Sequence, residues 1–106
     1  MDARSAHEKA EGIRVVDVRD DFEWRGGHID GAVHVPLADI PVSLDELRGD
    51  SKIVTVCAVG ARSAEAAAFL TANGIDAENL EGGMVAWQQA GLPLVDSSGN
   101  PGRVVH

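Results

Sequence analysis

Residues 54–70 read VTVCAVGARSAEAAAFL, and this stretch decides the fold. It begins with β-branched residues, as a buried strand does, and it ends in an alanine-rich segment that favours an α-helix. Between the two lies a short loop of small residues that starts at Cys57, the only cysteine of the chain. The stretch therefore predicts a strand, a loop and a helix N-terminus, with a thiol where the strand ends.

The loop after Cys57 has the character of an anion-binding site. Backbone N–H groups converge in such a loop, and the free N–H groups of a first helical turn carry partial positive charge. Together with Arg62 they would lower the pKa of the thiol and favour the thiolate, the nucleophilic form of cysteine. A cysteine after a strand is often only a small buried hydrophobe. Here Gly60, Arg62 and the predicted helix start favour a reactive thiol instead.

The composition bounds the class of protein. The chain has 106 residues, 44% of them hydrophobic, which suits one domain with a single core. Its net charge of −8 argues against nucleic acid and anionic membrane surfaces as partners. No apolar run is long enough to span a bilayer, and the N-terminus lacks the apolar core of a signal peptide. A lone cysteine cannot form an internal disulfide, so we expect a cytoplasmic protein.

Short strands and helices alternate along the rest of the chain. Strands are predicted at residues 13–18, 33–35, 53–56 and 75–80. Helices are predicted at residues 5–11, 22–25, 44–48, 61–72 and 84–90. This alternation favours an α/β fold with a mainly parallel sheet of four to five strands and helices on both faces. The predicted domain covers residues 13–95, between a partly ordered N-terminal helix at 1–12 and a flexible C-terminal tail at 96–106.

Charged residues follow the first predicted strand. Asp17 and Arg19 fall at its C-terminal end, the edge of a parallel sheet where Cys57 is also expected. They form either an ordinary ion pair or a pair that orients the Cys57 loop. Arg62 lies at a helix N-terminus, which is unfavourable for a cation unless an anion is near. We therefore expect Arg62 to take part in the site or to pair with Asp17.

Two histidines are the remaining candidates for chemistry. His28 and His34 are six residues apart across a turn that contains glycine, which is poor spacing for metal ligands. We expect them to pack or to form hydrogen bonds within the turn, and we expect no metal site. The pair Gly82 and Gly83 matches neither of the glycine-rich phosphate-binding patterns.

Four motifs, in order, resemble the rhodanese family in its single-domain form. They are VDVR at 16–19, EW followed by GHIDGA and HVP at 23–36, CAVGARS at 57–63, and LEGG followed by AW at 80–87. The resemblance covers residues 13–93 and implies a rhodanese-like open three-layer sandwich.

The resemblance also implies a sulfurtransferase of the thiosulfate:cyanide type. Its catalytic Cys57 would take a sulfane sulfur from thiosulfate, a polysulfide or a persulfide, hold it as a persulfide, and pass it to a thiol or cyanide without a cofactor. The persulfide would be bound by the loop residues Ala58, Val59, Gly60, Ala61, Arg62 and Ser63. The expected partners are the small sulfur donor and acceptor and a sulfur-relay protein, and the expected state is a monomer or weak dimer.

Departures from family patterns keep other readings open. Related cysteine-dependent phosphatases have five residues between Cys and Arg, whereas four separate Cys57 from Arg62, so a phosphatase or arsenate-type reductase is less favoured. A non-catalytic rhodanese-like binding or regulatory module is the other alternative, although such modules often lose the cysteine. Many family members carry Arg or Lys directly after the cysteine. The uncharged Ala58 and Val59 favour a polysulfide or a lipophilic or protein-bound persulfide over thiosulfate.

Overall fold

The computed structural model describes residues 1–105, and within them one sheet of four parallel strands forms the centre. In chain order the strands are β1 (Ile13–Asp17), β2 (Val33–His34), β3 (Lys52–Val56) and β4 (Ala77–Asn79), and in the sheet they lie in the order β2-β1-β3-β4. The α-helices are α1 (Ala3–Glu8), α2 (Asp21–Gly26), α3 (Leu44–Leu47), α4 (Ala61–Ala72) and α5 (Gly83–Gln89). Two 3₁₀-helices cover Ala10–Gly12 and Leu37–Val42. The predicted α/β fold with a parallel sheet is confirmed.

Each face of the sheet has its own hydrophobic core, because successive residues of a strand point to opposite sides. On one face, Val54 of β3 packs in a cluster with Met84 of α5. On the other face, Ile53 and Cys57 belong to a cluster with Leu70 of α4. The thiol therefore lies on the α4 side of the sheet.

The strand order brings the predicted site to one edge. β1 and β3 are central neighbours, with Asp17 in register with Val56, and β4 pairs with the other side of β3. In a parallel sheet the C-terminal ends of the strands meet at the same edge. Cys57 therefore follows β3 at the edge where β1 ends in Asp17 and β4 ends in Asn79.

Helix α4 has the predicted bounds, and local sequence sets both of its ends. It begins after Gly60, which adopts a φ of +109°, and it is followed by Gly74 at a φ of +80°. Glycine adopts this left-handed region without the steric penalty that a Cβ brings. The buried face of the helix carries Ser63 and Leu70, among others, so the loop and the core are fixed by the same element.

The N-terminal helix is capped by a different residue from the one that the sequence predicted. We expected Ser5 to begin the helix, but α1 starts earlier, and Oδ1 of Asp2 accepts a hydrogen bond of 2.8 Å from the Ser5 amide. Aspartate and serine are both good N-cap residues, and the earlier of the two takes the position here. Ala3 and Ala6 are buried and join the core on the α5 side of the sheet.

The C-terminal segment packs on the domain, unlike the flexible tail we expected for 96–106. Val104 is only 7% exposed and belongs to the core cluster that contains α5, where its amide donates to Oε1 of Gln88 at 2.8 Å. The Arg103 amide donates to the carbonyl of Gly26 at 3.1 Å. Residue 106 lies outside the described residues. The C-terminal segment therefore packs against α2 and α5.

A tight turn at Asp96 directs the C-terminal segment back to the domain, and it explains why this segment is packed and not flexible. Oδ1 of Asp96 accepts hydrogen bonds from the amides of Ser98 and Asn100, at 2.9 and 3.0 Å. Aspartate stabilises turns in this way, so a glycine- and serine-rich composition here indicates a tight turn and not a linker. Within residues 1–105, none of the helices is long and apolar enough to cross a membrane.

Candidate active site

Cys57 is the first residue after β3, and its sulfur is surrounded by hydrogen-bond donors. Sγ accepts from the Gly60 amide at 3.1 Å, from the Ser63 amide at 3.4 Å and from the Ser63 hydroxyl at 3.2 Å. The residue is only 1% exposed. The left-handed conformation of Gly60 turns the loop back over the sulfur and starts α4 at the same point.

The surroundings of Cys57 favour the thiolate. Burial alone raises the pKa of the thiol, because the charged form loses its hydration. The hydroxyl of Ser63 and the backbone N–H groups of Ser63, Gly60 and Val59 act in the opposite direction. Together they bring the pKa of Cys57 below its usual value of 9.0. A lowered pKa of this origin is the property that distinguishes reactive cysteines from structural ones.

The other loop residues are held in different ways. Val59 is 63% exposed, and Ala61 is also exposed. The carbonyl of Ala58 accepts a hydrogen bond of 3.0 Å from the Val85 amide, which fixes the loop to α5. Among the predicted loop residues, Gly60 therefore reaches the sulfur through its backbone, and Ser63 reaches it through both its backbone and its hydroxyl.

Arg62 pairs with Glu23, and our expectation of a pair with Asp17 is wrong. The two side chains form a bidentate ion pair, with Nη1 to Oε1 at 2.9 Å and Nη2 to Oε2 at 3.0 Å. Glu23 lies in α2, which follows β1 at the same sheet edge, and it is 6% exposed. The hydrogen bonds from Arg62 hold the pKa of Glu23 below its ordinary value, although burial opposes them, and Glu23 in turn raises the pKa of Arg62.

Asp17 and Arg19 form a fully buried ion pair with each other. Nη2 of Arg19 lies 2.8 Å from Oδ2 of Asp17 and also donates to the carbonyl of Gly27 at 2.8 Å. The side-chain hydrogen bonds of this pair within residues 1–105 do not reach the loop at 57–63. The pair therefore joins the end of β1 to the end of α2, which agrees with the ordinary ion pair, one of the two readings that the sequence left open.

The two histidines pack on Trp24, as the turn predicted. The ring of Trp24 stacks on His28 with a centroid distance of 3.6 Å and on His34 with one of 4.8 Å. Nδ1 of His28 donates to the Trp24 carbonyl, and Nε2 of His34 donates to the Arg19 carbonyl, both at 2.7 Å. No group of three or more potential metal ligands occurs in the part of the chain that the structure describes.

Two polar residues that the sequence analysis did not single out support the loop. Asn79, the last residue of β4, donates from Nδ2 to the Gly60 carbonyl at 3.1 Å, and its Oδ1 lies 2.5 Å from the Ser63 hydroxyl. Thr55 of β3 donates from Oγ1 to the Ser63 carbonyl at 2.7 Å. A signal did exist for both residues. Each is a polar side chain in a strand of the central sheet, close to the edge that carries Cys57.

The glycine pair that begins α5 is also part of the support. The Met84 amide donates to the Cys57 carbonyl at 2.8 Å, beside the contact between Val85 and Ala58. Gly83 has a φ of +59°, and a Cβ at this position would collide with the carbonyl oxygens of Cys57 and Ala58. The close approach of α5 to the loop therefore requires glycine, a role that the comparison with phosphate-binding patterns did not reveal.

Known proteins resemble this chain both in sequence and in fold. The family model for the rhodanese-like domain matches residues 2–90. A sulfurtransferase of Allochromatium vinosum is 38% identical over 90 residues, which are 84% of this chain and 84% of the relative. Thiosulfate sulfurtransferase GlpE of Shewanella oneidensis is 34% identical over 83 residues, which are 77% of this chain and 82% of the relative. A solved rhodanese-related protein from Thermoplasma volcanium has a TM-score of 0.86 and 33% identity, with 90% of this chain and 95% of that chain covered.

Proposed function

This chain belongs to the rhodanese-like domain family, and from that premise we propose that it is a sulfurtransferase that carries sulfur as a persulfide on Cys57. The observation that supports this role best is the convergence of N–H and O–H donors from Gly60 and Ser63 on Sγ. A buried sulfur with such donors is stabilised as an anion. It can therefore serve both as a nucleophile and as a leaving group.

The proposed reaction has two displacements. In the first, the Cys57 thiolate attacks the sulfane sulfur of the donor, the sulfur–sulfur bond of the donor breaks, and its electron pair leaves with the rest of the donor. In the second, a thiolate or cyanide attacks the outer sulfur of the persulfide, and the electron pair of the broken bond returns to Sγ. Splitting one transfer into two steps is covalent catalysis of the ping-pong kind, with Cys57 as the carrier of the group.

Backbone donors remain for the outer sulfur of the persulfide. Ala61 and Arg62 are the first two residues of α4, and their amides have no hydrogen-bond acceptor within residues 1–105. N–H groups at this position carry partial positive charge. We expect them to stabilise the negative charge of the outer sulfur, because they are held in place before the reaction begins.

The proposed donor is a polysulfide or a persulfide and not thiosulfate. Ala58 and Val59 carry no charge, and the guanidinium of Arg62 is neutralised by its bidentate contact with Glu23. A dianion such as thiosulfate therefore meets little compensating charge near Cys57, while the net charge of the chain is −8. An apolar or singly charged donor avoids this cost, and the exposed side chain of Val59 is compatible with it.

A donor comparison tests the proposal. The protein is incubated with cyanide and either thiosulfate, an inorganic polysulfide or a small alkyl persulfide, and thiocyanate is measured. We expect turnover with polysulfide and persulfide at a higher kcat/KM than with thiosulfate, and its loss in Cys57→Ser. Thermal unfolding of both proteins confirms that the variant is folded. A folded wild-type protein that turns over none of these donors would overturn the proposed activity.

A further inference from the structure

Asn79 touches two of the groups that act on the sulfur. Its Nδ2 faces the carbonyl of Gly60 at 3.1 Å, and its Oδ1 faces the hydroxyl of Ser63 at 2.5 Å. The orientation of the amide is fixed because a carbonyl oxygen can only accept a hydrogen bond, so the group that faces Gly60 is the NH₂. Oδ1 is therefore an acceptor, so its contact with Ser63 is a hydrogen bond only while the hydroxyl proton points to Oδ1 and not to Sγ.

The hydroxyl of Ser63 has one proton and two acceptors within reach. Oδ1 of Asn79 is 2.5 Å away, and Sγ of Cys57 is 3.2 Å away. While Cys57 is a neutral thiol, the shorter contact takes the proton, and the S–H group faces a lone pair of the hydroxyl. When the sulfur becomes an anion, a charge-assisted bond to Sγ is stronger than a neutral bond to an amide oxygen. The hydroxyl then turns toward the sulfur.

We propose that Asn79 is a positioning residue that holds the Ser63 proton away from Cys57 in the neutral thiol and releases it to Sγ when the sulfur becomes anionic. The proton of Cys57 itself goes to solvent, and Ser63 keeps its own proton throughout. Asn79 thus competes with the thiolate for one donor. Removing this competitor should make the thiolate easier to form.

The reorientation of the Ser63 hydroxyl does not depend on the proposed function, but its role in sulfur transfer does. When an acceptor attacks the outer sulfur of the persulfide, the electron pair of the broken bond goes to Sγ. The hydroxyl of Ser63 can then leave Asn79 and donate to the sulfur. A leaving group of lower pKa departs faster in such an exchange, so this step is where the switch would act.

The test varies only neutral residues and keeps the charged surroundings of Cys57 constant. Every charged side chain on the elements around it stays unchanged, among them Arg62 and Glu65 on α4, Asp21, Glu23 and Arg25 on α2, the Asp17–Arg19 pair at the end of β1, Lys52 on β3, Glu78 on β4 and Glu81 after it. The Gly60 carbonyl also accepts from the Ala64 amide at 3.1 Å, so the start of α4 keeps an anchor when Asn79 is replaced.

The measurement is the pH dependence of the alkylation rate of Cys57 by iodoacetamide. We expect Ser63→Ala to raise the midpoint, because a donor to the thiolate is lost. We expect Asn79→Ala to lower it by about 0.5 to 1 pH unit, the equivalent of one neutral hydrogen bond. In the Ser63→Ala background, the same replacement of Asn79 should leave the midpoint unchanged. Asn79→Val, which suits a strand, is the second variant and should behave like Asn79→Ala.

The sign of the shift separates the switch from a purely structural role. If Asn79 only supported the loop, its loss would loosen the donors around a buried sulfur and raise the midpoint. A raised or unmoved midpoint in either folded variant would overturn the proposal, and so would a shift that persists without Ser63. Alkylation needs no sulfur donor, so the result can be interpreted even if the protein transfers no sulfur.

Discussion

At the scale of single residues, the central feature is a sulfur that is buried and yet has a pKa below the usual value of a thiol. Burying an unpaired anion is costly, and Cys57 is 1% exposed. Each hydrogen bond to a charged group contributes about 1.5 to 3 kcal/mol, so the donors from Gly60 and Ser63 together can exceed this cost.

The buried pair of Asp17 and Arg19 should matter for stability. Asp17→Asn leaves the fully buried guanidinium without its counter-charge, and breaking such a pair costs about 3 to 5 kcal/mol. Urea unfolding monitored by tryptophan fluorescence measures the loss. The matched control is Asp21→Asn, which removes an exposed carboxylate paired with Arg25 and should cost less than about 0.5 kcal/mol.

The same variant also tests whether the pair orients the loop. The side-chain hydrogen bonds of Asp17 and Arg19 within residues 1–105 do not reach residues 57–63, so we expect the alkylation rate of Cys57 in folded Asp17→Asn to equal that of the wild type. A rate that falls in the folded variant would restore the loop-orienting role that the sequence suggested.

Glu23 should determine how well the site accepts anions. Glu23→Gln keeps an oxygen for Arg62 but removes the negative charge, and the freed cation should raise kcat/KM for thiosulfate about three- to tenfold. The gain should shrink at high salt, because screening weakens exposed charges. Asp21→Asn, on the same helix, is the control and should change little. No gain for thiosulfate would mean that the ion pair does not limit anionic donors.

Acid pH should weaken the same ion pair. The hydrogen bonds from Arg62 place the pKa of Glu23 below its ordinary 4.5. A carboxyl with a lowered pKa stabilises the fold above its unfolded pKa, and this contribution is lost as the pH falls through the lower folded value. The wild type should therefore lose more unfolding free energy below pH 4.5 than Glu23→Gln does. Equal losses in urea titrations of the two proteins would contradict this role.

At the scale of elements, the sequence predicted what local patterns determine and missed what depends on strand pairing. The strand, loop and helix from β3 to α4 follow from residues 54–70 alone, as does the position of Cys57. The contact of Asn79 with the loop depends on the pairing of β4 with β3. These two strands are 20 or more residues apart along the chain, so their pairing has no local signature in the sequence. Glu23 was missed as the partner of Arg62 for the same reason.

The close approach of α5 to the loop should make Gly83, the first residue of that helix, intolerant of a side chain. Gly83→Ala would place a Cβ against the Cys57 and Ala58 carbonyls at a φ of +59°. Strain and overpacking should together cost about 2 to 5 kcal/mol, and the displaced loop should lower the alkylation rate of Cys57. Gly49→Ala is the control, since nothing lies within 4 Å of a Cβ built there. A variant as stable and reactive as this control would contradict the role of Gly83.

At the scale of the whole molecule, two cores share one sheet, and the C-terminal segment completes one of them. The alternation of predicted strands and helices correctly indicated an α/β fold, whereas the composition of residues 96–106 suggested a flexible tail. Val104 instead reaches the cluster that contains Trp87, because the turn at Asp96 reverses the chain. Val104 can pack there only because the folded core offers an apolar site, and this site is formed by residues that are distant in the sequence.

The buried position of Val104 can be tested by truncation of its side chain. Val104→Ala should lower the free energy of unfolding by about 1 to 3 kcal/mol, because buried methyl groups are lost and a cavity remains. Val42→Ala makes the same chemical change at a residue that is 86% exposed, so it should alter stability by less than about 0.5 kcal/mol. Urea unfolding that gives equal values for the two variants would show that residue 104 is not part of the core.

The central claim is that Cys57 carries the transferred sulfur, and intact mass spectrometry tests it most directly. The folded protein is incubated with polysulfide, separated from excess donor and weighed before and after addition of a small thiol. We predict a gain of one sulfur atom that maps to Cys57, is removed by the thiol and is absent from Cys57→Ser. A folded wild-type protein that gains no sulfur, or gains it equally in Cys57→Ser, would contradict the account.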